Sequence, residues 1–174
     1  MTRILFVCTA NICRSAYAEV RTAQLGVDGL EVGSAGTHGW AGHPMDPPMA
    51  AELTRRGADP SGFRSRPLSS VMVDAADVVL TATAAHRTFV LQERPGALRR
   101  TFSLGQLAAA IDTVPADLEG EELLVAARRA RATAVSDDDV ADPYGRGPQA
   151  AAAAAAHIDE LLDRILPRIL RLSF

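Results

Sequence analysis

Short apolar runs alternate along this chain with longer segments whose apolar positions recur at helical spacing. The clearest run, residues 4–7 (Ile-Leu-Phe-Val), has large and β-branched side chains without a polar interruption, which is typical of a buried parallel strand. Further strands are predicted at residues 30–33, 76–81 and within 99–104. This alternation of strands and helices predicts a fold of the α/β class.

Helices are predicted where helix formers recur without a breaker, at residues 15–25, 47–56, 84–91, 105–110, 121–132 and 150–165. The second of these has Asp46 as its expected cap, proline in its first turn and Gly57 at its end. The last continues from an alanine run into Ile158, Leu161 and Leu162, and we expect it to close one side of the sheet.

The segment between the first strand and the first helix carries the candidate chemistry. A loop there leads into the first turn of a helix, where unpaired amides and the helix dipole attract anions. These amides and Arg14 favour the thiolate form of Cys8, which makes it a candidate nucleophile. The Arg14 guanidinium suits two oxygens of one phosphate, and Ser15 can donate a hydrogen bond to the Cys8 sulfur. The alternative is a small buried cysteine at a strand end and a solvated arginine.

The string Cys8–Ser15 resembles the phosphate-binding loop of the low-molecular-weight protein tyrosine phosphatases, Cys-x-Gly-Asn-x-Cys-Arg-Ser-Pro. Two positions depart from it, since Ala10 and Ala16 stand where the family usually has Gly and Pro. If that glycine needs a positive φ, Ala10 strains the loop by about 1 kcal/mol or more. The resemblance implies that the phosphate is bound by Thr9, Ala10, Asn11, Ile12, Cys13, Arg14 and Ser15.

The resemblance extends from residue 4 to about residue 166 and implies a three-layer α/β/α fold with a four-stranded parallel sheet. In the family, the serine of the Ser-Ala-Gly-Thr segment supports the loop asparagine, so Ser34 is expected to support Asn11. Read alone, that segment is an ordinary turn of small residues. Phe63 replaces a family histidine and Thr83 a family aspartate, so the support of the loop is expected to be altered.

Two aromatic residues are candidates for the walls of a slot that holds a phenyl ring. Trp40 lies in a glycine-rich loop and aligns with a family aromatic, while Tyr144 follows Asp-Pro near the final helix. Trp40 could instead pack its own loop down. The histidines near it, His38 and His43, lack a third ligand at metal spacing, so they are interpreted as surface residues and no metal is expected.

A carboxyl group on a loop must protonate the leaving phenolate, and such an acid contributes about 10²–10⁴-fold. Asp142-Pro143-Tyr144 matches the family's Asp-Pro-Tyr, in which the aspartate is that acid. The acidic run at residues 137–139 is interpreted as a solvated loop, with Asp139 as the rival acid.

Composition limits the remaining possibilities. With 174 residues and 48% hydrophobic content, residues 1–174 are expected to form one domain. The resemblance implies that this is a phosphatase domain with an extended helical insertion at about 111–139. The formal net charge of −3 gives no general footprint for nucleic acid or a membrane surface. The amino terminus runs into a strand without a signal-peptide pattern, so a cytoplasmic protein is expected. The two cysteines exclude a disulfide framework, and the resemblance implies that Cys13 can trap an oxidised Cys8.

The resemblance implies a phosphatase that hydrolyses phosphotyrosine on a protein substrate through a phosphocysteine and releases inorganic phosphate. Cys8, Arg14 and Asp142 are the expected catalytic residues, and no cofactor is expected. Two alternatives stay open. One is arsenate reduction completed by an external thiol, and the other is a phosphate or phosphoprotein binder without catalysis.

Overall fold

The computed structural model describes residues 1–118, 120–130 and 138–170. Four strands, β1 (Thr2–Cys8), β2 (Leu30–Gly36), β3 (Val78–Thr81) and β4 (Thr101–Ser103), form one sheet in the order β2-β1-β3-β4. Every pairing is parallel, and β1 lies at the centre, in register with Leu30–Gly36 on one side and Val78–Thr81 on the other. The predicted four-stranded parallel sheet is therefore confirmed.

The described helices are α1 (Arg14–Ala23), α2 (Pro47–Arg55), α3 (Ser70–Ala75), α4 (Ala84–Glu93), α5 (Leu104–Thr113), α6 (Gly120–Ala130) and α7 (Gly147–Ile169). A short 3₁₀ helix, Pro95–Arg99, precedes β4. Helix α3 was not predicted; Ser69 caps it by accepting from the Met72 amide. The expected insertion at 111–139 contains α6, and the predicted end of that helix at residue 132 lies outside the described residues.

The sheet is covered on both faces because side chains of β1 alternate between them. Ile4, Phe6 and Cys8 belong to the larger cluster of buried residues, which includes residues of α1, α2, α5, α6 and α7. Leu5 and Val7 belong to a smaller cluster with residues of α3 and α4. These are the three layers expected from the sequence. In the described part of the chain, no helix is long and apolar enough to cross a membrane.

One predicted detail of α2 is wrong. Asp46 stands at the N-cap position and Pro47 in the first turn, but the Asp46 side chain makes no capping hydrogen bond. Its carboxyl group instead lies beside the Cys13 thiol, close enough for each group to shift the pKa of the other. The acid that resembled a helix cap therefore belongs to the surroundings of the loop that follows β1.

Candidate active site

The loop between β1 and α1 exposes its amides because its carbonyl groups are engaged from behind. Thr37 N–H donates to the Cys8 carbonyl and His38 N–H to the Thr9 carbonyl, both at 2.9 Å. Within the described residues, the amides of residues 9–15 pair with no protein acceptor. Together with the first turn of α1, they form a concave set of donors suited to a tetrahedral anion.

Asn11 fixes the shape of this loop. It is fully buried and has a positive φ of 58°, a conformation that asparagine tolerates better than most residues. The Arg66 amide donates to Asn11 Oδ1 at 2.8 Å, which sets the orientation of the side-chain amide. Asn11 Nδ2 then donates to Ser15 Oγ at 2.9 Å and to Ser34 Oγ at 2.7 Å. The expected contact between Ser34 and Asn11 is present.

Behind Asn11, a chain of hydrogen bonds leads to the surface. Ser34 Oγ accepts from Asn11 and donates to the Glu19 carboxylate. Arg66 pairs with the same carboxylate at 3.0 Å. Each polar atom in this series of hydrogen bonds therefore has a partner, and both the oxygen and the nitrogen of the Asn11 side chain are fixed.

The Cys8 sulfur lies 2.9 Å from Ser15 Oγ. Because Ser15 Oγ already accepts from Asn11, its own hydrogen is available to the sulfur, which is nearer than the other acceptor, the Ala35 carbonyl at 3.5 Å. Cys8 is only 2% exposed, and Ser15 is buried as well. The thiol therefore lies in an enclosed site, where a small anion cradled by the loop is the group best suited to reach it.

Gly36 packs closely against the backbone of the loop. A Cβ at this position would lie 2.5 Å from the Thr9 carbonyl oxygen, a distance that no side chain can occupy. The close approach of the two backbones requires glycine here. The strain considered for Ala10 does not arise, because among non-glycine residues in the described ranges only Asn11 has a positive φ.

Arg14 joins the loop to a segment from near the end of the chain. The side chain is 6% exposed, Nη1 donates to the Val140 carbonyl at 3.1 Å, and Nη2 lies 3.3 Å from Asp142 Oδ1. Its Nε is buried and has no hydrogen-bond partner among the described residues. The Nε–H of the guanidinium is thus available to a ligand in the loop.

The segment that carries Asp142 is attached on both sides of this residue. Asp139 Oδ1 accepts from the Ala84 amide at 2.7 Å, and the Val140 amide donates to the Ala82 carbonyl at 3.0 Å. Val140 and Pro143 are buried, whereas the Asp142 side chain is 51% exposed. Asp139 is therefore engaged with a helix, and Asp142 is the carboxyl group that faces Arg14. Of the acidic run, residue 137 lies outside the described residues.

His86 is a residue of the site that the sequence interpretation missed. It is buried, its Nε2 lies 2.8 Å from Thr9 Oγ1, and its Nδ1 lies 2.8 Å from Thr83 Oγ1. Burial, reinforced by the positive charge of Arg14, lowers the pKa of His86 from 6.5 to about 4. A neutral imidazole thus links the second residue of the loop to the start of α4. The pattern Thr83-x-x-His86 at a strand end is the only local signal for this role.

Cys13 is a buried thiol beside Asp46. Burial and the Asp46 carboxylate raise the pKa of Cys13, while burial raises that of Asp46 despite the opposing influence of the neighbouring thiol. Both cysteines are free in the structure. Cys13 is therefore held as a neutral thiol, unlike the role expected of Cys8.

Trp40 and Tyr144 are both largely exposed, at 65% and 60%. The Trp40 ring lies 5.4 Å from the His43 ring, in a tilted arrangement. In the described ranges, no ring contact joins Trp40 to Tyr144. Their role as slot walls stays a prediction. Phe63, which replaces a family histidine, is buried in the larger core cluster.

Comparison with known proteins places the chain in a family. A profile of the low molecular weight phosphotyrosine protein phosphatases matches residues 3–119. A protein-arginine-phosphatase of Geobacillus stearothermophilus is 28% identical over 167 residues, 96% of this chain and 95% of that protein. EpsP of Ralstonia nicotianae, a probable low molecular weight protein-tyrosine-phosphatase, is 28% identical over 166 residues, 95% of this chain and 94% of that one.

Solved structures agree with this result. The YwlE arginine phosphatase from Geobacillus stearothermophilus superposes with a TM-score of 0.76 at 28% identity, covering 96% of this chain and 92% of that chain. A low molecular weight protein tyrosine phosphatase from T. tengcongensis gives 0.74 at 26% identity, covering 97% and 100%. The comparisons favour a phosphatase over the arsenate reductase and the non-catalytic binder. The chain belongs to the low molecular weight phosphotyrosine protein phosphatase family and is a phosphatase.

Proposed function

We propose that this enzyme hydrolyses phosphotyrosine in proteins through a phosphocysteine intermediate, with Cys8 as nucleophile, Arg14 as phosphate ligand and Asp142 as general acid and base. The observation that carries the proposal is the meeting of Arg14 and Asp142, 3.3 Å apart, at the loop that begins with Cys8. Residues 1–174 are proposed to act as one domain, with 111–139 as an insertion, in the cytoplasm.

In the first step, the Cys8 sulfur attacks phosphorus while the bond from phosphorus to the phenolic oxygen breaks. The loop amides and the free Nε of Arg14 bind the equatorial oxygens, where negative charge is concentrated in the transition state. Asp142 gives its proton to the departing phenolate oxygen. The products of this step are free tyrosine side chain and phosphocysteine.

In the second step, a water molecule attacks phosphorus and the bond from phosphorus to sulfur breaks. Asp142, now a carboxylate, accepts the proton of that water, and inorganic phosphate leaves. Cys8 departs as a thiolate, which the hydrogen bond from Ser15 stabilises. The loop supplies the positive charge for both steps.

The exposed rings of Trp40 and Tyr144 support an aromatic substrate, since each offers an apolar face to a phenyl group. Pre-steady-state hydrolysis of p-nitrophenyl phosphate tests the reaction itself. We expect a burst of nitrophenol equal to the enzyme concentration, absent in Cys8→Ser and retained in Cys13→Ser. Turnover by Cys8→Ser at the wild-type rate would refute the proposal.

Phosphoarginine is the second candidate substrate, because the relative from Geobacillus stearothermophilus, similar over 96% of this chain, is a protein-arginine-phosphatase. Hydrolysis of matched peptides containing phosphotyrosine or phosphoarginine decides between them. Trp40→Ala and Tyr144→Ala should lower kcat/KM for the phosphotyrosine peptide if the rings hold its phenyl group. A higher kcat/KM for the phosphoarginine peptide, unaffected by these variants, would establish the second candidate instead.

A further inference from the structure

The first turn of α4 receives a carboxylate from a distant part of the chain. A helix leaves its first amides unpaired, and here two of them have side-chain acceptors. Thr83 Oγ1 accepts from the His86 amide within the helix itself. Asp139 Oδ1 accepts from the amide of Ala84, the first residue of α4, at 2.7 Å.

This contact lies three residues before Asp142, a span of about 10 Å at most. The next residue, Val140, is fully buried, donates its amide to the Ala82 carbonyl and receives Arg14 Nη1 on its own carbonyl. After Asp142 the chain is held again, because Pro143 is buried and its carbonyl accepts from the Arg146 amide. The exposed Asp142 therefore lies in a short segment that is fixed by contacts before and after this residue.

We propose that Asp139 is a positioning residue that docks the acid-bearing segment on α4 and so aims Asp142 at the leaving group. Among the interactions of the described residues, no hydrogen bond or ion pair joins Asp139 to Cys8 or Arg14. Asp139 acts through the backbone of Val140 and its neighbours. Its negative charge also suits the positive end of the α4 dipole. The inference rests on the proposed role of Asp142 as general acid.

The leaving group distinguishes a positioning role from a structural one. Protonation by Asp142 matters for a basic phenolate and little for an acidic one, because an acidic leaving group departs without help. Displacement of the acid by about 1 Å costs on the order of 10²-fold. Asp139→Ala should therefore lower kcat/KM for phenyl phosphate about 10- to 100-fold. It should leave 2,4-dinitrophenyl phosphate and inhibition by inorganic phosphate nearly unchanged.

Three variants isolate the contact. Asp139→Asn keeps an acceptor oxygen for the Ala84 amide, so it should recover most of the activity on phenyl phosphate. Glu93→Ala removes an exposed carboxylate from the other end of α4 and should behave like the wild type. Ala84→Pro removes the amide donor at the first helical position, where proline is tolerated.

The double variant Asp139→Ala/Ala84→Pro should lose no more than either single variant, because both remove the same hydrogen bond. Ala84→Pro also keeps the test available if Asp139→Ala folds poorly. An equal loss on both substrates, or no loss, in Asp139→Ala and in Ala84→Pro would overturn the inference.

Asp142→Ala distinguishes failure of the positioning role of Asp139 from failure of the general-acid role of Asp142. If this variant loses phenyl phosphate hydrolysis selectively but the Asp139 and Ala84 variants do not, the positioning role alone is refuted. If Asp142→Ala loses both substrates equally, the general acid is misassigned, and the inference falls with the proposed function.

Discussion

Arg14 Nη2 and Asp142 Oδ1 lie 3.3 Å apart, although one residue begins the first helix and the other precedes the last. The two partners differ in exposure, since the Arg14 side chain is 6% exposed and that of Asp142 is 51% exposed. A phosphate bound in the loop competes with Asp142 for the guanidinium. We expect it to displace the carboxylate toward the mouth of the loop, where the leaving group would lie.

Asn11 should be the residue on which the shape of the loop depends most. Asn11→Gly keeps access to the positive φ but loses three hydrogen bonds, each worth about 1–3 kcal/mol when its buried partner is left unpaired. Asn11→Ala should lose a further 1–2 kcal/mol or so from backbone strain. Urea unfolding and inhibition by inorganic phosphate measure both effects. Equal stability of the two variants would contradict the strain, and wild-type phosphate affinity in either would contradict the scaffold role.

Adding a single methyl group at Gly36 should weaken phosphate binding. In Gly36→Ala the new Cβ would lie 2.5 Å from the Thr9 carbonyl oxygen, so the loop must shift. We expect the inhibition constant of inorganic phosphate to rise about 10-fold or more. Gly62→Ala is the matched control, because nothing lies within 4 Å of its Cβ and its φ is not positive. Indistinguishable phosphate affinities would show that the loop does not need this close approach.

His86 should make stability depend on pH. Its pKa is about 4 in the folded protein and 6.5 ordinarily, so the unfolded chain takes up a proton first as pH falls. The contribution of neutral His86 to the free energy of unfolding is fully present above pH 6.5. It is lost progressively as the pH falls from 6.5 to 4, by up to about 3 kcal/mol. Urea unfolding of the wild type and of His86→Gln at several pH values isolates the pH dependence that is due to His86. The exposed His43→Gln serves as control, and identical pH profiles for wild type and His86→Gln would refute the assignment.

The two cysteines should differ sharply in reactivity. Iodoacetate carries a negative charge and is expected to enter the loop and alkylate Cys8, while inorganic phosphate protects it. Cys13 should stay unmodified, because burial and Asp46 raise the pKa of its thiol. Peptide mass spectrometry with and without phosphate checks both statements. Alkylation of Cys13 as fast as Cys8, or no protection by phosphate, would contradict them.

Local patterns were sufficient for the central part of the fold. The apolar run at residues 4–7 and the helix formers after it predicted β1, the loop and α1, because each depends on neighbours in sequence. Asp46 occupies the predicted N-cap position, but its side chain makes no capping hydrogen bond and its carboxyl group lies beside Cys13 of the loop, which only the folded chain brings near.

The sequence did not reveal two contacts between residues that are distant along the chain. His86 meets Thr9 from 77 positions away, and Asp139 meets Ala84 from 55. The pattern Thr83-x-x-His86 is the only local signal for the first contact, and one carboxylate in an acidic run gives none for the second. The parallel sheet accounts for the first contact, since it brings the carboxyl ends of β1 and β3 to the same edge.

Trapping of the phosphocysteine intermediate tests most directly whether Cys8 is the nucleophile. Wild-type enzyme mixed with a phosphotyrosine peptide and quenched within a single turnover should carry one phosphoryl group on Cys8, as peptide mass spectrometry can identify. The adduct should be absent from Cys8→Ser and present in Cys13→Ser. Phosphate release at the wild-type rate with no phosphoryl group ever found on Cys8 would contradict the account.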